Sequence, residues 1–171
     1  STMLPTRRGT ALAGAVCVFT AFAVVLGESA PLFAASGLLA WLLVAQIDAV
    51  ETATAIDRSL STTVSVADAT AFVNDRTAIT LTASVPTAFD VPIEVELLAP
   101  PSVRAPPRRE RVVTIDPGET TASTTYSVEF PVAGRIAFDA LRVTVGDRTG
   151  HFTGTVPKAA DAEGLVEPPA P

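Results

Sequence analysis

The chain is 171 residues long and carries a net charge of −6, from 18 acidic and 12 basic residues, with one cysteine and one histidine. That length holds one ordinary domain, or a small domain plus a second element. The single histidine and cysteine exclude a Ser-His-Asp constellation with a choice of partners, a multi-histidine metal site, a Cys/His zinc site and an intrachain disulfide, and the acidic balance, with no basic stripe between aromatics, excludes nucleic acid as a partner.

The mean hydropathy of +0.40 is concentrated in one block. Residues 9–47 hold 28 apolar side chains and a single charge, Glu28. Beyond residue 47 the chain carries 10 basic and 17 acidic residues, a net of −7. Of the 12 cations, 11 are arginine and only Lys158 is lysine, a bias that points to a GC-rich, salt-adapted prokaryotic or archaeal source.

Residues 9–27 are 19 without a charge, and 29–47 are another 19. Each matches the ~20 residues that a helix needs to cross about 30 Å of hydrocarbon. The punctuation between them, Gly27-Glu28-Ser29-Ala30-Pro31, combines a helix-ending glycine, a charge that avoids lipid and a proline suited to a first helical turn. The expectation is a two-helix transmembrane hairpin: a cytoplasmic N-terminus over 1–8, a first span over 9–27, and a turn and second span over 28–47. Arg7 and Arg8 hold the N-terminus in the cytoplasm by the positive-inside rule, and two crossings return the chain there. Thr10 with Gly14, Ala11 with Ala15, and Ser36 with Ala40 are small-xxx-small pairs through which the helices are expected to pack. Thr6-Arg7-Arg8 before an apolar run also fits an export signal, the competing reading, although this run exceeds the 7–15 residues usual for one. Val16 is too bulky before Cys17 for lipidation, so Cys17 is read as a small apolar residue.

From Thr52 the period changes to two. Strands are expected over 53–60, 63–66, 78–84, 92–98, 111–115, 121–128, 135–138 and 141–145. Short strands without interleaved helices favour an antiparallel Ig-like β-sandwich over 52–155. Asp116-Pro117-Gly118-Glu119 has proline and glycine where a tight turn needs them. Pro100, Pro101, Pro106 and Pro107 stiffen the loop over 99–110. That loop carries Arg104, Arg108 and Arg109, a basic cluster that could meet an acidic partner or headgroups. Residues 156–171 are rich in Pro, Ala and acids without periodicity and read as a disordered tail or linker.

No phosphate-cradling glycine loop and no glycosylation sequon occurs, and the spacing of Asp57, Ser59 and Ser61 is read as a strand edge, not a metal site. Glu94 and Glu96 share one face of a strand opposite Ile93 and Val95, so both are expected in solvent. No catalytic, cofactor or metal residue is assigned, and an enzyme is not expected.

Thr6-Arg7-Arg8-Gly9, two apolar spans, an x-x-Arg-x-Leu strand at Ile56-Asp57-Arg58-Ser59-Leu60, and Gly134-Arg135-Ile136-Ala137-Phe138-Asp139-Ala140-Leu141-Arg142-Val143 leading to Asp147-Arg148-Thr149-Gly150-His151-Phe152 together resemble the N-terminal part of the DUF58 family, over about residues 6–155. Gly134-Arg135 inverts the family's usual R-G order, and Arg148 stands where its D-P pair has proline. The resemblance implies a membrane-anchored protein in the neighbourhood of MoxR-type AAA+ ATPases, helping to assemble or mature other complexes, with the β-domain as spacer or docking module. The von Willebrand A-like domain that normally follows is expected to be absent from a chain ending at Pro171. The functional expectation is a multi-pass membrane protein whose partners are the lipid bilayer and a protein, either a MoxR-type ATPase or other membrane-complex subunits, with no cofactor and no small-molecule substrate. The rival is an exported or cell-surface Ig-like domain on a signal anchor, adhesive or part of an envelope layer.

Overall fold

The computed structural model describes residues 3–5, 7–27, 29–68, 70–146 and 152–167. In chain order the elements are β1 (Met3–Pro5), α1 (Arg7–Leu26), α2 (Ala30–Ser59), β2 (Ser61–Val66), β3 (Thr70–Phe72), β4 (Arg76–Ser84), β5 (Ile93–Leu97), α3 (Arg108–Arg111), β6 (Val112–Ile115), β7 (Thr121–Glu129), β8 (Gly134–Gly146) and β9 (Phe152–Glu167). The chain divides into two units, one taking the helices up to Asp57 with the stretch from Val145 to Thr155, the other taking Arg58–Thr144 and the chain from Val156.

In the helical unit, α1 stops where the sequence says it must. Gly27 takes a left-handed φ of 69° and its N–H reaches the Ala23 carbonyl at 3.0 Å, which caps the last turn without a Cβ penalty. Ser29 then accepts from the N–H groups of Leu32 and Phe33, both at 3.1 Å, and α2 begins with Pro31 in its first turn. The helices meet along a seam in which Leu12 and Val16 of α1 pack on Leu42, Ala45, Ala49 and Ala53 of α2. Buried and half-buried positions on α2 run 35, 38, 42, 45 and 49, alternately three and four residues apart, and Gly9, Leu12 and Val16 repeat that spacing on α1. This is the heptad spacing of knobs-into-holes packing. The expected small-xxx-small contacts are therefore corrected: Thr10, Ala11, Gly14, Ser36 and Ala40 are exposed, only Ala15 of the six residues is half-buried, and a Cβ added at Gly14 would meet nothing within 4 Å.

Helix α2 is 30 residues long, which corrects both the expected end of the second helix at 47 and the strand expected over 53–60. The Ala-Thr alternation over 52–55 imitates a period of two, but Ala45, Ala49, Ala53 and Ile56 form a buried stripe at helical spacing, and alanine is the strongest helix former.

The β unit is an Ig-like sandwich of two sheets. One is three-stranded in the order β2-β4-β7, antiparallel throughout. In the other, β9, β8, β5 and β6 lie side by side, and β3 joins β9 as a parallel pair, a departure from the all-antiparallel expectation. In the helical unit Met3–Pro5 pairs antiparallel with the start of β9. The core between the sheets takes alternate residues: Ile79, Leu81 and Ala83 from β4, Ile93, Val95 and Leu97 from β5, Val113 and Ile115 from β6, Tyr126 and Val128 from β7.

Two elements differ from the sequence reading for opposite reasons. The strands expected over 135–138 and 141–145 are one, because the buried positions Ile136 and Phe138 are followed by Leu141, Val143 and Val145, and a slip of one residue at Asp139-Ala140 is the mark of a β-bulge. The tail expected over 156–171 is β9 as far as Glu167, while 168–171 lie outside the described residues. Its Pro, Ala and Asp content hides it, since β9 is held by backbone pairing along β8 and not by an apolar alternation of its own.

Leu81 has no solvent exposure at the centre of β4. Leu81→Ala is expected to cost about 3 kcal/mol in urea unfolding of the β unit, whereas Val132→Ala, at a side chain 58% exposed, stays within about 0.5 kcal/mol.

Candidate functional site

The basic loop between β5 and β6 is the place where sequence reading put a partner contact, and its arginines are largely spoken for. Arg104 forms a short antiparallel bridge with Glu129 at the end of β7, N–H to carbonyl at 2.9 and 3.0 Å, and its guanidinium reaches the Glu129 carboxylate at 3.2 Å. Arg76 approaches the same carboxylate at 3.7 Å. Arg108, in the single turn α3, donates from Nε to Glu96 at 3.1 Å and from Nη2 to Glu94 at 3.4 Å. Arg109 is the freest of the three, 85% exposed, and among the described residues its ion pair is with Glu110 at 3.9 Å.

Glu96 is the feature that the sequence hid. Period two places it on the outer face of β5 with Glu94, but its side chain is only 5% exposed, which corrects the expectation that both carboxylates are solvated. The loop covers that face: Arg111, Arg108 and Arg142 stand 3.4, 3.1 and 3.5 Å from its oxygens. Arg111 is also tied to the backbone, donating to the Pro106 carbonyl at 2.9 Å and the Leu97 carbonyl at 3.3 Å. An ion pair of this kind repays the desolvation of its charges only when further hydrogen bonds support it, and Arg111's two bonds to backbone carbonyls are of that kind. The one sequence signal for it was the count of arginines in the loop that must return to β5.

Two shallow grooves flank this network. One, of about 270 Å³, lies between Arg76, Arg104, Pro106 and Glu129, and the other, of about 410 Å³, between Glu94, Arg108, Arg109, Val112 and Thr114. Neither brings a nucleophile to a base. Among the described residues no group of three or more His, Cys, Asp or Glu could hold a metal ion. Asp57 and Ser59 close α2 and Ser61 opens β2, so their spacing marks a helix end and not the strand edge expected for it. His151 lies outside the described residues. Arg7 and Arg8 form the first turn of α1 and are exposed. Cys17 is a free, exposed thiol on α1.

Tyr126 is buried on the inner face of β7, and its hydroxyl has no hydrogen-bond partner among the described residues. Burial pushes its pKa up to about 12, with Arg111 pulling the other way and Glu96 adding to the rise.

No protein-family model matches the chain, and no curated protein matches it. Among solved structures it is similar to the cupredoxin domain of amoB from Nitrosocaldus yellowstonii, at 10% identity and a TM-score of 0.35 over 66% of this chain and 93% of that one. It is also similar to a non-cellulosomal cohesin from Archaeoglobus fulgidus, at 13% identity and a TM-score of 0.36 over 64% of this chain and 92% of that one. A third is the chitin-binding domain of a chitinase from Pyrococcus furiosus, at 15% identity and a TM-score of 0.29 over 55% and 91%.

Removing one member of the buried network is expected to cost according to burial. Glu96→Ala leaves the half-buried Arg111 without its counter-charge and should lose about 2–3 kcal/mol of unfolding free energy, while Arg108→Ala, at a side chain 56% exposed, loses less than about 1 kcal/mol. For Tyr126 the sign is set by the raised pKa: the stability that the protonated hydroxyl contributes is complete below about 10, where a free tyrosine titrates, and is lost as pH rises toward 12. Tyr126→Phe is expected to unfold at equal or higher denaturant concentration at pH 7, since it removes an unsatisfied buried hydroxyl, and to lose that alkaline limb.

Proposed function

We propose that the chain is a membrane-anchored contact protein, a two-helix hairpin in the bilayer that carries a cytoplasmic β-sandwich and does its work by binding protein, without chemistry of its own. The observation that carries this is where the apolar side chains point. Of the 16 large hydrophobic residues exposed among the described residues, 14 are on α1 and α2, and Val24, Val25 and Phe33 are 75–81% exposed. An apolar surface of that extent is not left in water by a soluble monomer. Both helices are long and apolar enough to cross a membrane, with mean hydropathies of 2.2 and 1.8, and only 11% and 6% of those windows are buried, unlike the core helices of soluble proteins.

Length supports the same reading. The 20 residues of α1 span about 30 Å at 1.5 Å per residue, one hydrocarbon thickness. The 30 residues of α2 exceed that thickness, and the excess beyond Ile47 carries Asp48, Glu51, Asp57 and Arg58, side chains that belong in water. Arg7 and Arg8 keep the N-terminus, and with it the β-sandwich, in the cytoplasm. The resemblance to the DUF58 family makes a MoxR-type AAA+ ATPase, or other subunits of a membrane complex, the partner to test first.

The test is protease accessibility of a tag after Pro171 in intact and then lysed cells, with the mature size read on the same gel and alkaline carbonate extraction run in parallel. Protection in intact cells, a full-length chain and resistance to extraction are expected. Cleavage in intact cells, or a chain shorter by roughly 30 residues, would replace this reading with an exported domain on a signal anchor or a cleaved signal.

A further inference from the structure

Strand β6 ends its sheet. It pairs with β5 on one side, and among the described residues no strand pairs with its other side. Backbone directions on β5 tell which groups of β6 are left over. The Leu98 N–H donates to the Ala140 carbonyl of β8 at 3.0 Å, whereas the Leu97 carbonyl accepts from Arg111, on the β6 side, at 3.3 Å. Alternation then turns Ile93 and Val95 toward β6, with Ile115 and Val113 as their hydrogen-bonded partners, so the N–H and C=O groups of Val112 and Thr114 point away from β5 along the free edge. All four residues of β6 are β-branched, and none is the proline or lysine that commonly blunts such an edge.

Val112 and Thr114 also line the groove of about 410 Å³, together with Glu94, Arg108 and Arg109. The ion pairs of this face join four arginines to three glutamates, a surplus of one positive charge. The chain beyond residue 47 carries a net of −7, so this groove runs against its surroundings. The surplus comes to the surface at Arg109, whose pair with Glu110 joins side chains 85% and 52% exposed at 3.9 Å, an arrangement that water screens.

We infer that the β6 edge and its groove take an extended acidic segment of a protein partner, added as a further strand beside β6 with its carboxylates on Arg109. The inference rests on the reading of the chain as a contact protein and names the chemistry of what it contacts. Two independent features select that occupant. The free N–H and C=O groups of Val112 and Thr114 are matched together by the backbone of another strand; a phosphate accepts from the N–H groups but offers nothing to the carbonyls. The cationic surplus selects acid, since alternate side chains of an added strand lie on the outer face, beside those of Val112 and Thr114, where Arg108 and Arg109 stand. A second copy presenting the same edge would set its own positive surplus against this one. With two edge residues, each holding one donor and one acceptor, the contact is of the weak, transient class, and the charge governs how often it forms.

The experiment places the full chain in nanodiscs of phosphatidylcholine and reads the anisotropy of a short fluorescent peptide in which glutamate and valine alternate. Saturable binding is expected. Replacing the glutamates by glutamine, or Arg109→Glu in the chain, is expected to weaken it at least about fivefold and to flatten its dependence on salt. Backbone N-methylation of the peptide keeps every side chain, leaves the protein unaltered and is expected to weaken binding at least about tenfold. Absence of saturable binding, equal binding of the glutamine peptide or binding untouched by N-methylation would each overturn the inference. Displacement by short-chain phosphatidylserine as readily as by unlabelled peptide would overturn it in favour of a lipid surface, and loss of binding as chains are crowded into each disc would give the edge to a second copy. The tag assay above keeps the two readings apart: loss of peptide binding in a chain that is protected and full length overturns only this inference, and peptide binding by a chain that is cleaved in intact cells leaves the edge standing and overturns the cytoplasmic reading.

Discussion

The carboxylate of Glu96 is the charge around which the outer side of the β5–β6 region is built. Burying a carboxylate costs several kcal/mol unless cations and hydrogen bonds replace its water, and here Arg108, Arg111 and Arg142 do so from a helical turn, its last residue and a neighbouring strand. The path of the proline-rich loop follows from that demand. It must leave β5, touch β7 at Glu129 through Arg104, and come back over β5 before β6 can start. Arg111 fixes the return by holding the Pro106 and Leu97 carbonyls as well as the carboxylate. Remove the charge and Arg111 keeps only its backbone carbonyls, and Arg108 only the exposed Glu94. The basic cluster is thus mostly internal wiring of the sandwich, and Arg109 is what it leaves for a partner.

Much of this was legible in the residues, and the failures have definite causes. The apolar runs announced two helices because composition alone decides them, and Gly27 and Ser29 marked the break because a left-handed cap and a helix start need those residue types. The strands from β4 to β7 announced themselves by alternation. What alternation cannot report is what lies above the outward face: Glu96 obeys period two and is buried all the same, because a loop from elsewhere in the chain covers it. Nor can it survive a bulge, so Asp139-Ala140 split one strand into two. In β9 there was no alternation to find, because its partner strand supplies the order. In 52–56 there was a false one, where Ala and Thr alternate on a helix whose buried side is chosen by Ala49, Ala53 and Ile56.

The hairpin shows how weakly a local motif constrains packing when a longer period is available. Small-xxx-small pairs license close approach, but they occur by chance in any alanine-rich helix. The seam instead follows the heptad of Leu12 and Val16 against Leu42, Ala45, Ala49 and Ala53, in which leucine and valine fill the space that alanine leaves. Within the described residues that arrangement has one glycine on its spacing, Gly9 at the start of α1, while Gly14 and Gly37 stand with open space about them. It also turns Val18, Phe22, Val25, Phe33 and Val44 outward, the side chains that a hydrocarbon environment would solvate.

The same economy separates the two faces of the sandwich. One sheet spends its outer face on an ion network that balances an internal charge, and such a face meets other molecules only through whatever is left unpaired. The other sheet carries its charge at one end, where Arg76 of β4 meets Glu129 of β7, and the rest of its outer face is uncharged serine and threonine, among them the bonded pair Thr80 and Thr125.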